Sequence, residues 1–256
     1  MTHKRVTVLL LAAFAFLMVY GVLAIWFGLP RPGFITGLTT ITGFSFALSH
    51  AGLRLGWQRA LALLAFVFAV SLAFESLGVA TGLVYGPYHY TEKLGPKFLG
   101  LVPYLIAVAW FMMMYPSYVI ADRLTGEKLT GWKRVLWLAA LGGLAMTAWD
   151  VVMDPLMVNG GNWVWEVNGA YFGVPLQNFW GWWLTVFTTF VLYLLTMGER
   201  RKLYDKSFDR LAVLAYVSTG LGNIAVSLLS GLAGPALAGI FAMMPWVLMG
   251  WLATRD

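Results

Sequence analysis

Long apolar segments alternate with short breaks of charged, glycine or proline residues along the whole chain. A membrane-spanning helix needs about 20 predominantly apolar residues, and eight segments fit that length. They lie at residues 6–28, 33–52, 58–80, 100–121, 134–154, 176–197, 209–230 and 234–253. The pattern predicts an all-α fold: a polytopic membrane helical bundle of about eight transmembrane helices, with residues 1–256 as a single integral membrane domain.

Composition supports a membrane protein. The chain is 60% hydrophobic and 11% charged, with a mean hydropathy of +0.76, whereas soluble domains carry about 25% charged residues. A soluble globular protein is therefore excluded. The absence of cysteine excludes disulfide scaffolds and thiolate metal sites. The net charge of +6 would favour a nucleic-acid partner in a soluble protein, but none is expected here.

The positions of the charges predict the topology. Fourteen of the 17 Lys and Arg residues fall outside the predicted spans, and Arg59, Arg134 and Arg210 occupy the first or second position of a span. Only Arg31, Lys93 and Lys97 lie in the first, third, fifth and seventh loops. The other fourteen lie in or directly beside the alternate loops and at both ends of the chain. By the positive-inside rule, we expect a multi-pass protein of the cell membrane with both termini cytoplasmic. The first segment is too long for a signal peptide, so we expect it to be a retained span.

Three carboxyl groups lie inside predicted spans. A charged residue within the bilayer costs about 2.5–3.5 kcal/mol on insertion scales, so each is a candidate functional group. Glu75 belongs to the third span and Asp150 and Asp154 to the fifth, which run in the same direction, so all three are expected in the outer half of the membrane. Asp150 and Asp154 are four residues apart and share a helical face. Because two neighbouring carboxylates repel, at least one is expected to stay protonated and to be available as a general acid.

Other polar and aromatic side chains are expected near these carboxyl groups. Two long outer loops, about 81–99 and 155–175, flank the third and fifth spans, and the second is either a re-entrant or a lid segment. Tyrosines of the first loop could line a pocket or anchor at the membrane interface, and His89 could relay protons or face solvent. The candidate substrate-binding residues are Tyr85, His89, Trp149, Trp180, Asn178 and Asn223.

The residue types in the predicted spans exclude several classes of membrane protein. With no Lys in a span a retinal Schiff base is excluded, and three histidines are too few for a multi-histidine di-iron desaturase. The Asp150-x-x-x-Asp154 spacing matches half of a motif of magnesium-dependent membrane prenyltransferases, but no second Asp-rich motif accompanies it. We therefore predict neither a metal site nor an organic cofactor.

Four segments resemble the carotenoid biosynthesis membrane proteins, which include carotenoid 1,2-hydratases and bisanhydrobacterioruberin hydratases. They are residues 74–90 (FESLGVATGLVYGPYHY), 148–155 (AWDVVMDP), 161–165 (GNWVW) and 173–182 (GVPLQNFWGW). The resemblance extends over about residues 40–250. It implies a cofactor-independent hydro-lyase that adds water across the terminal 1,2 double bond of a ψ-end carotenoid. The implied substrate is lycopene, γ-carotene or a C50 precursor, reached from the membrane lipid.

This chemistry needs a neutral acid, aromatic faces for a carbocation and an acceptor that orients water. We expect Asp150 or Glu75 to donate the proton and Asp154 to position water. Tyr85, His89, Trp149 and Trp180 are expected to line the site. Two alternatives stay open: a non-catalytic carotenoid- or isoprenoid-binding membrane protein or small transporter, and a prenyl transferase or lyase. The latter would need magnesium and a basic phosphate pocket, and the outer half is poor in Lys and Arg.

Overall fold

The computed structural model describes residues 2–198 and 205–255, which form an all-α bundle as predicted. The helices are α1 (Thr2–Trp26), α2 (Ile35–Leu55), α3 (Trp57–Thr81), α4 (Tyr104–Thr125), α5 (Gly131–Asn159), α6 (Leu176–Met197), α7 (Lys206–Leu229) and α8 (Ala233–Ala253). Within these ranges all but α2 are long and apolar enough to cross a membrane. Threonines, serines, His50 and Arg54 lower the hydropathy of α2. The prediction of a polytopic bundle is confirmed.

Helix α4 forms the centre of the bundle. It contacts α2, α3, α5, α7 and α8, and residues 110–121 along it are all buried. Helix α1 is peripheral and packs against α2 and α7. Lys4 lies 3.9 Å from Asp205, and Lys206 Nζ donates to the carbonyl of Arg255 at 3.0 Å. The two ends of the described chain and the start of α7 therefore share one end of the bundle, here named the termini side.

The termini side contains a buried ionic cluster that corrects the sequence prediction for Arg54. The side chain of Arg54 lies in the last turn of α2 rather than in a loop and is only 4% exposed. Its Nε donates to Asp209 Oδ1 at 2.7 Å, and one terminal nitrogen donates to Asp122 Oδ2 at 2.7 Å. Arg123 Nε donates to Asp209 Oδ2 at 2.6 Å, and Arg134 also contacts Asp122. The helices reach further into the charged segments than hydropathy predicts because opposite charges from α2, α4, α5 and α7 neutralise one another.

We expect the Asp209→Asn substitution to lower the free energy of unfolding by about 3–5 kcal/mol, since removing one partner of a buried ion pair leaves the other uncompensated. Asp209 is fully buried and accepts from two arginines. Equilibrium unfolding in mixed detergent micelles measures the change. Glu127→Gln, at an exposed position between α4 and α5, is the matched control. Equal stability of both variants would contradict the structural role of the cluster.

The opposite end, here named the loop side, is covered by a small antiparallel ladder. Strand β1 (Tyr88–Tyr90) from the α3–α4 connection pairs with β4 (Trp163–Trp165) from the α5–α6 connection. Two further strands, β2 (Lys97–Phe98) and β3 (Val102–Pro103), pair with each other beside it. Successive side chains of a strand point to opposite faces, so Tyr88 and Tyr90 are buried while His89 is exposed. The second long loop is thus part of a cover shared with the first.

Helix α5 continues one turn beyond the span predicted from the sequence, through Pro155 to Asn159. A proline inside a helix has no N–H for the carbonyl four residues earlier, which here belongs to Val151. The hydroxyl of Tyr171 donates to that carbonyl at 2.9 Å. Burial, with Asp150 nearby, raises the pKa of Tyr171 to about 12, so it remains a donor. This replacement bond lets α5 pass the proline and keeps Asp154 inside regular helix.

Candidate active site

A cavity of about 230 Å³, measured as the volume open to the centre of a water molecule, lies against the ladder within the bundle. Its walls come mainly from α1, α2, α4, α5 and α7, and β1 and β4 contribute their buried aromatic side chains. The structure brings six of the predicted site residues to this cavity: Glu75, Tyr85, Trp149, Asp154, Asn178 and Asn223. Carboxyl groups from α3 and α5 therefore face one common space.

Glu75 is surrounded by three neutral hydrogen-bond donors. The hydroxyls of Tyr88 and Tyr90 donate to its Oε2, the latter at 2.9 Å. The indole Nε1 of Trp110 donates to Oε1 at 2.9 Å. Both oxygens are thus satisfied, although the side chain is almost completely buried. Donors at both oxygens stabilise the charged form of a carboxyl group.

The tyrosines of β1 remain donors over the physiological pH range. Burial raises the pKa of Tyr88 and of Tyr90 well above the usual value, and the neighbouring Glu75 raises both further. Neither hydroxyl gives up its proton near neutrality. Each therefore presents a hydrogen to Glu75 rather than competing with it for one.

Asp150 and Asp154 form a pair bridged by one amide. Asn178 Nδ2 donates to Asp150 Oδ2 at 2.8 Å and to Asp154 Oδ2 at 2.9 Å. Asp154 Oδ1 also accepts from the indoles of Trp163 at 3.2 Å and Trp165 at 3.1 Å. Asp150 Oδ1 is buried and bonds to none of the described residues. The two carboxyl groups therefore differ: Asp154 is held by three donors and Asp150 by one.

The aromatic side chains form continuous walls. Trp110 and Trp182 stack with ring centroids 4.2 Å apart, and Trp149 meets Trp182 edge-to-face at 5.8 Å. Trp149 lines the cavity, and its Nε1 is buried with no partner among the described residues. Tyr88 lies 5.0 Å from Trp165 across the ladder. The walls thus offer π faces and one free N–H.

Tyr85 occupies a slot between α3 and α6. A Cβ at Gly78 would lie 2.7 Å from the Tyr85 ring, and a Cβ at Gly181 would lie 2.6 Å from its other edge. Only glycine leaves this room on both sides. Thr185 Oγ1 donates to the Gly181 carbonyl at 2.7 Å, so the Tyr85 hydroxyl is the donor in its 2.8 Å bond with Thr185. The ring is therefore fixed as part of the cavity wall.

Three predicted site residues lie elsewhere. His89 is on the outer face of β1 and lies 3.2 Å from Glu166 at the surface. Trp180 is 58% exposed and stacks on Trp183 with centroids 4.9 Å apart. Asp150 is behind the cavity wall and connects to it through Asn178. Sequence analysis considered Tyr88 and Tyr90 only as tyrosines of the first loop and did not select them as site residues, and it missed Trp110, Trp163, Trp165 and Trp182. In the described ranges, no group of three His, Cys, Asp or Glu side chains could hold a metal ion.

Comparisons with known proteins agree with this architecture. A relative from Haloarcula japonica named bisanhydrobacterioruberin hydratase is 34% identical over 141 residues. The match covers 54% of this chain and 47% of the relative, so the chain spans about half the length of that protein. No solved structure matches the chain. The family model described as carotenoid biosynthesis protein matches residues 35–245. Since that range includes most of the chain and every carboxyl group of the cavity, the chain belongs to the carotenoid biosynthesis protein family.

Proposed function

We propose that this protein is a carotenoid hydratase that adds water across the terminal 1,2 double bond of a ψ-end carotenoid. The observation that carries the proposal is the cavity in which Glu75 and Asp154 face the same aromatic-walled space. Hydration of an isolated alkene needs an acid and a base that reach one substrate end from different directions. The name of the Haloarcula relative points to the same reaction class.

The aspartate pair supplies the acid. Asp150 and Asp154 share the Asn178 amide, and in a buried pair one retained proton relieves the repulsion between the carboxyl groups. Asp154 presents this proton to the cavity, because Asp150 is behind the wall. The proton adds to the less substituted alkene carbon, whose new C–H bond uses the π electron pair. The positive charge then lies on the tertiary carbon.

The aromatic walls stabilise that cation and Glu75 completes the addition. Indole and phenol faces attract positive charge, and Trp110, Trp149 and Trp182 lie together along the wall. A water molecule held by the free Trp149 N–H attacks the tertiary carbon. Its surplus proton passes to Glu75, whose three donors stabilise the carboxylate before this step. Water in the cavity returns the proton from Glu75 to the aspartate pair.

These roles differ from those expected from the sequence. From the sequence, we expect Asp150 or Glu75 to donate the proton and Asp154 to position water. The geometry favours Asp154 as the group that delivers the proton, with Asp150 sharing it, because Asp154 lines the cavity and Asp150 does not. It favours Glu75 as the acceptor, because the three donors of Glu75 serve no second carboxyl group. Asp154, by contrast, shares the Asn178 donor with Asp150 in a pair that retains a proton. No cofactor takes part in the proposed steps.

The substrate is proposed to reach the cavity from the membrane lipid. The site lies on the loop side of the bundle, and the basic residues concentrate on the termini side. By the positive-inside rule, we propose that both termini are cytoplasmic and that the cavity lies in the outer half of the cell membrane. Lycopene, γ-carotene and C50 precursors have the acyclic end that this reaction requires.

The test is pigment analysis of hosts that accumulate acyclic carotenoids, with and without this gene. We expect a product heavier than its precursor by one water molecule, detected by liquid chromatography and mass spectrometry. A host carrying Glu75→Gln is the control for expression without chemistry. If the pigments stay unchanged while the protein is present in the membrane, the hydratase proposal is wrong and a binding or transport role replaces it.

A further inference from the structure

The cavity continues away from the carboxyl groups into a groove along α1. Phe14, Leu17, Met18 and Gly21 of α1 all line it. Their spacing of three, four and seven residues places them on one helical face. The carboxyl groups come from α3 and α5, whereas α1 packs against α2 and α7. The α1 face therefore forms the wall of the cavity remote from Glu75 and Asp154, and we name this part the α1 groove.

The α1 groove is long and reaches the middle of the membrane. From Gly21 to Phe14 it follows α1 for roughly 10 Å, at 1.5 Å per residue. Phe14 is the midpoint of α1, which runs from Thr2 to Trp26. At this depth the helices pack closely, because Phe14 and Met112 lie within 3 Å of the Cβ position of Gly43. The groove thus follows α1 toward the bilayer centre.

Four polar residues that line the cavity use their hydroxyl hydrogens within the protein, and Arg31, Thr36 and Asn223 are further polar residues of the lining. Thr39 and Thr40 of α2 donate to carbonyls of their own helix at 2.8 and 3.0 Å, and Thr219 of α7 does the same at 2.9 Å. The Tyr20 hydroxyl donates to the Pro30 carbonyl at 2.6 Å. Threonines bonded in this way can offer their methyl groups to a ligand. The groove suits an apolar chain better than a polar head group.

We propose that the α1 groove binds the polyene chain next to the reacting end, and that Gly21 determines how much chain it accepts. This inference rests on the proposed function, which puts the chain end at Glu75 and Asp154 and requires the following carbons to occupy space continuous with that site. Gly21 lines the groove, and a Cβ there would meet nothing within 4 Å. A larger side chain at Gly21 therefore enters the groove without displacing protein atoms.

Helix α1 lies outside the region that matches the family, residues 35–245, whereas Glu75, Asp150 and Asp154 lie inside it. The carboxyl groups thus belong to the matched region and the groove wall does not. A substitution at Gly21 therefore leaves the matched region, with all three carboxyl groups, unchanged.

The experiment compares a graded series, Gly21→Ala, Gly21→Leu and Gly21→Phe, with the matched control Gly37→Phe. Gly37 lies on α2, has nothing within 4 Å of its Cβ position and does not line the cavity. Purified proteins in detergent are incubated with lycopene. Two quantities are measured: the rate of hydration and the amount of lycopene that stays bound, from its absorption after gel filtration. Gel filtration also confirms that each variant is folded and monodisperse.

We expect Gly21→Ala to stay within about twofold of wild type and Gly21→Phe to lose at least about tenfold in both hydration and bound lycopene, with Gly21→Leu between them. A tenfold loss corresponds to about 1.4 kcal/mol of binding free energy. Gly37→Phe should match wild type. Unchanged lycopene binding by folded Gly21→Leu and Gly21→Phe, or an equal loss in Gly37→Phe, would overturn the inference. If wild type binds lycopene without hydrating it, the proposed function fails while the binding measurement still tests the groove.

Discussion

Replacing Glu75 by glutamine is expected to reduce carotenoid hydration by at least about 10²-fold, within the range of 10²–10⁴ typical of general acid–base groups. The amide cannot accept the proton released by the attacking water. Its NH₂ group would also face a donor, since Tyr88, Tyr90 and Trp110 together donate to both carboxyl oxygens. The measurement is the initial rate of water addition by purified protein.

The matched control for Glu75→Gln is Glu92→Gln. The Glu92 side chain lies in the connection between α3 and α4 that also contains Tyr88 and Tyr90. It is 88% exposed and pairs with Lys97 at the surface. Its replacement should leave the rate within about twofold. A Glu75→Gln protein with the wild-type rate would remove Glu75 from the mechanism.

Asparagine in place of either Asp150 or Asp154 is expected to reduce hydration by a similar factor of at least about 10². An amide cannot donate the proton that begins the reaction. Loss of one carboxyl group also removes the repulsion that favours a shared proton, so the remaining aspartate is left charged between its donors. Because both residues act on one proton, we expect the double variant to be no worse than the worse single variant.

Asp205→Asn is the control for these two substitutions. Asp205 caps α7 by accepting from the Ser207 backbone N–H at 3.0 Å, and asparagine is an equally good cap. Both stability and rate should be preserved. Full hydration by Asp150→Asn together with loss in Asp154→Asn would leave Asp154 as the sole acid and refute the shared-proton assignment.

Hydropathy is sufficient to predict the bundle because a lipid environment imposes a fixed apolar length on every span. All eight predicted spans correspond to helices. The ends are less predictable where charges compensate each other across helices. Arg54 looks like a loop residue in isolation, and its pairing with Asp122 and Asp209, 68 and 155 positions later, explains its burial in α2.

The carboxyl groups of the site could be found because a buried acid stands out in an apolar segment. Trp110 could not, since one indole in an aromatic-rich helix carries no signal of what it contacts. The two faces of β1 could not be predicted from the sequence alone. The alternation Tyr88, His89, Tyr90 would separate the tyrosines from the histidine if a strand were assumed, but a three-residue strand is set by pairing with β4, about 75 residues away. Local sequence therefore led to the selection of His89 as a candidate site residue, and Tyr88 and Tyr90 were not selected.

The ladder has a consequence for how the site loses activity. The tyrosines of β1 donate to the glutamate of α3, while the tryptophans of β4 donate to the aspartate of α5. The antiparallel pairing of β1 with β4 connects these two sets of donors directly. Separating the two connections would remove two of the three donors of Glu75 and two of the three donors of Asp154 at the same time. If the protein acts as the proposed hydratase, damage to either connection is expected to impair both the proton donor and the proton acceptor.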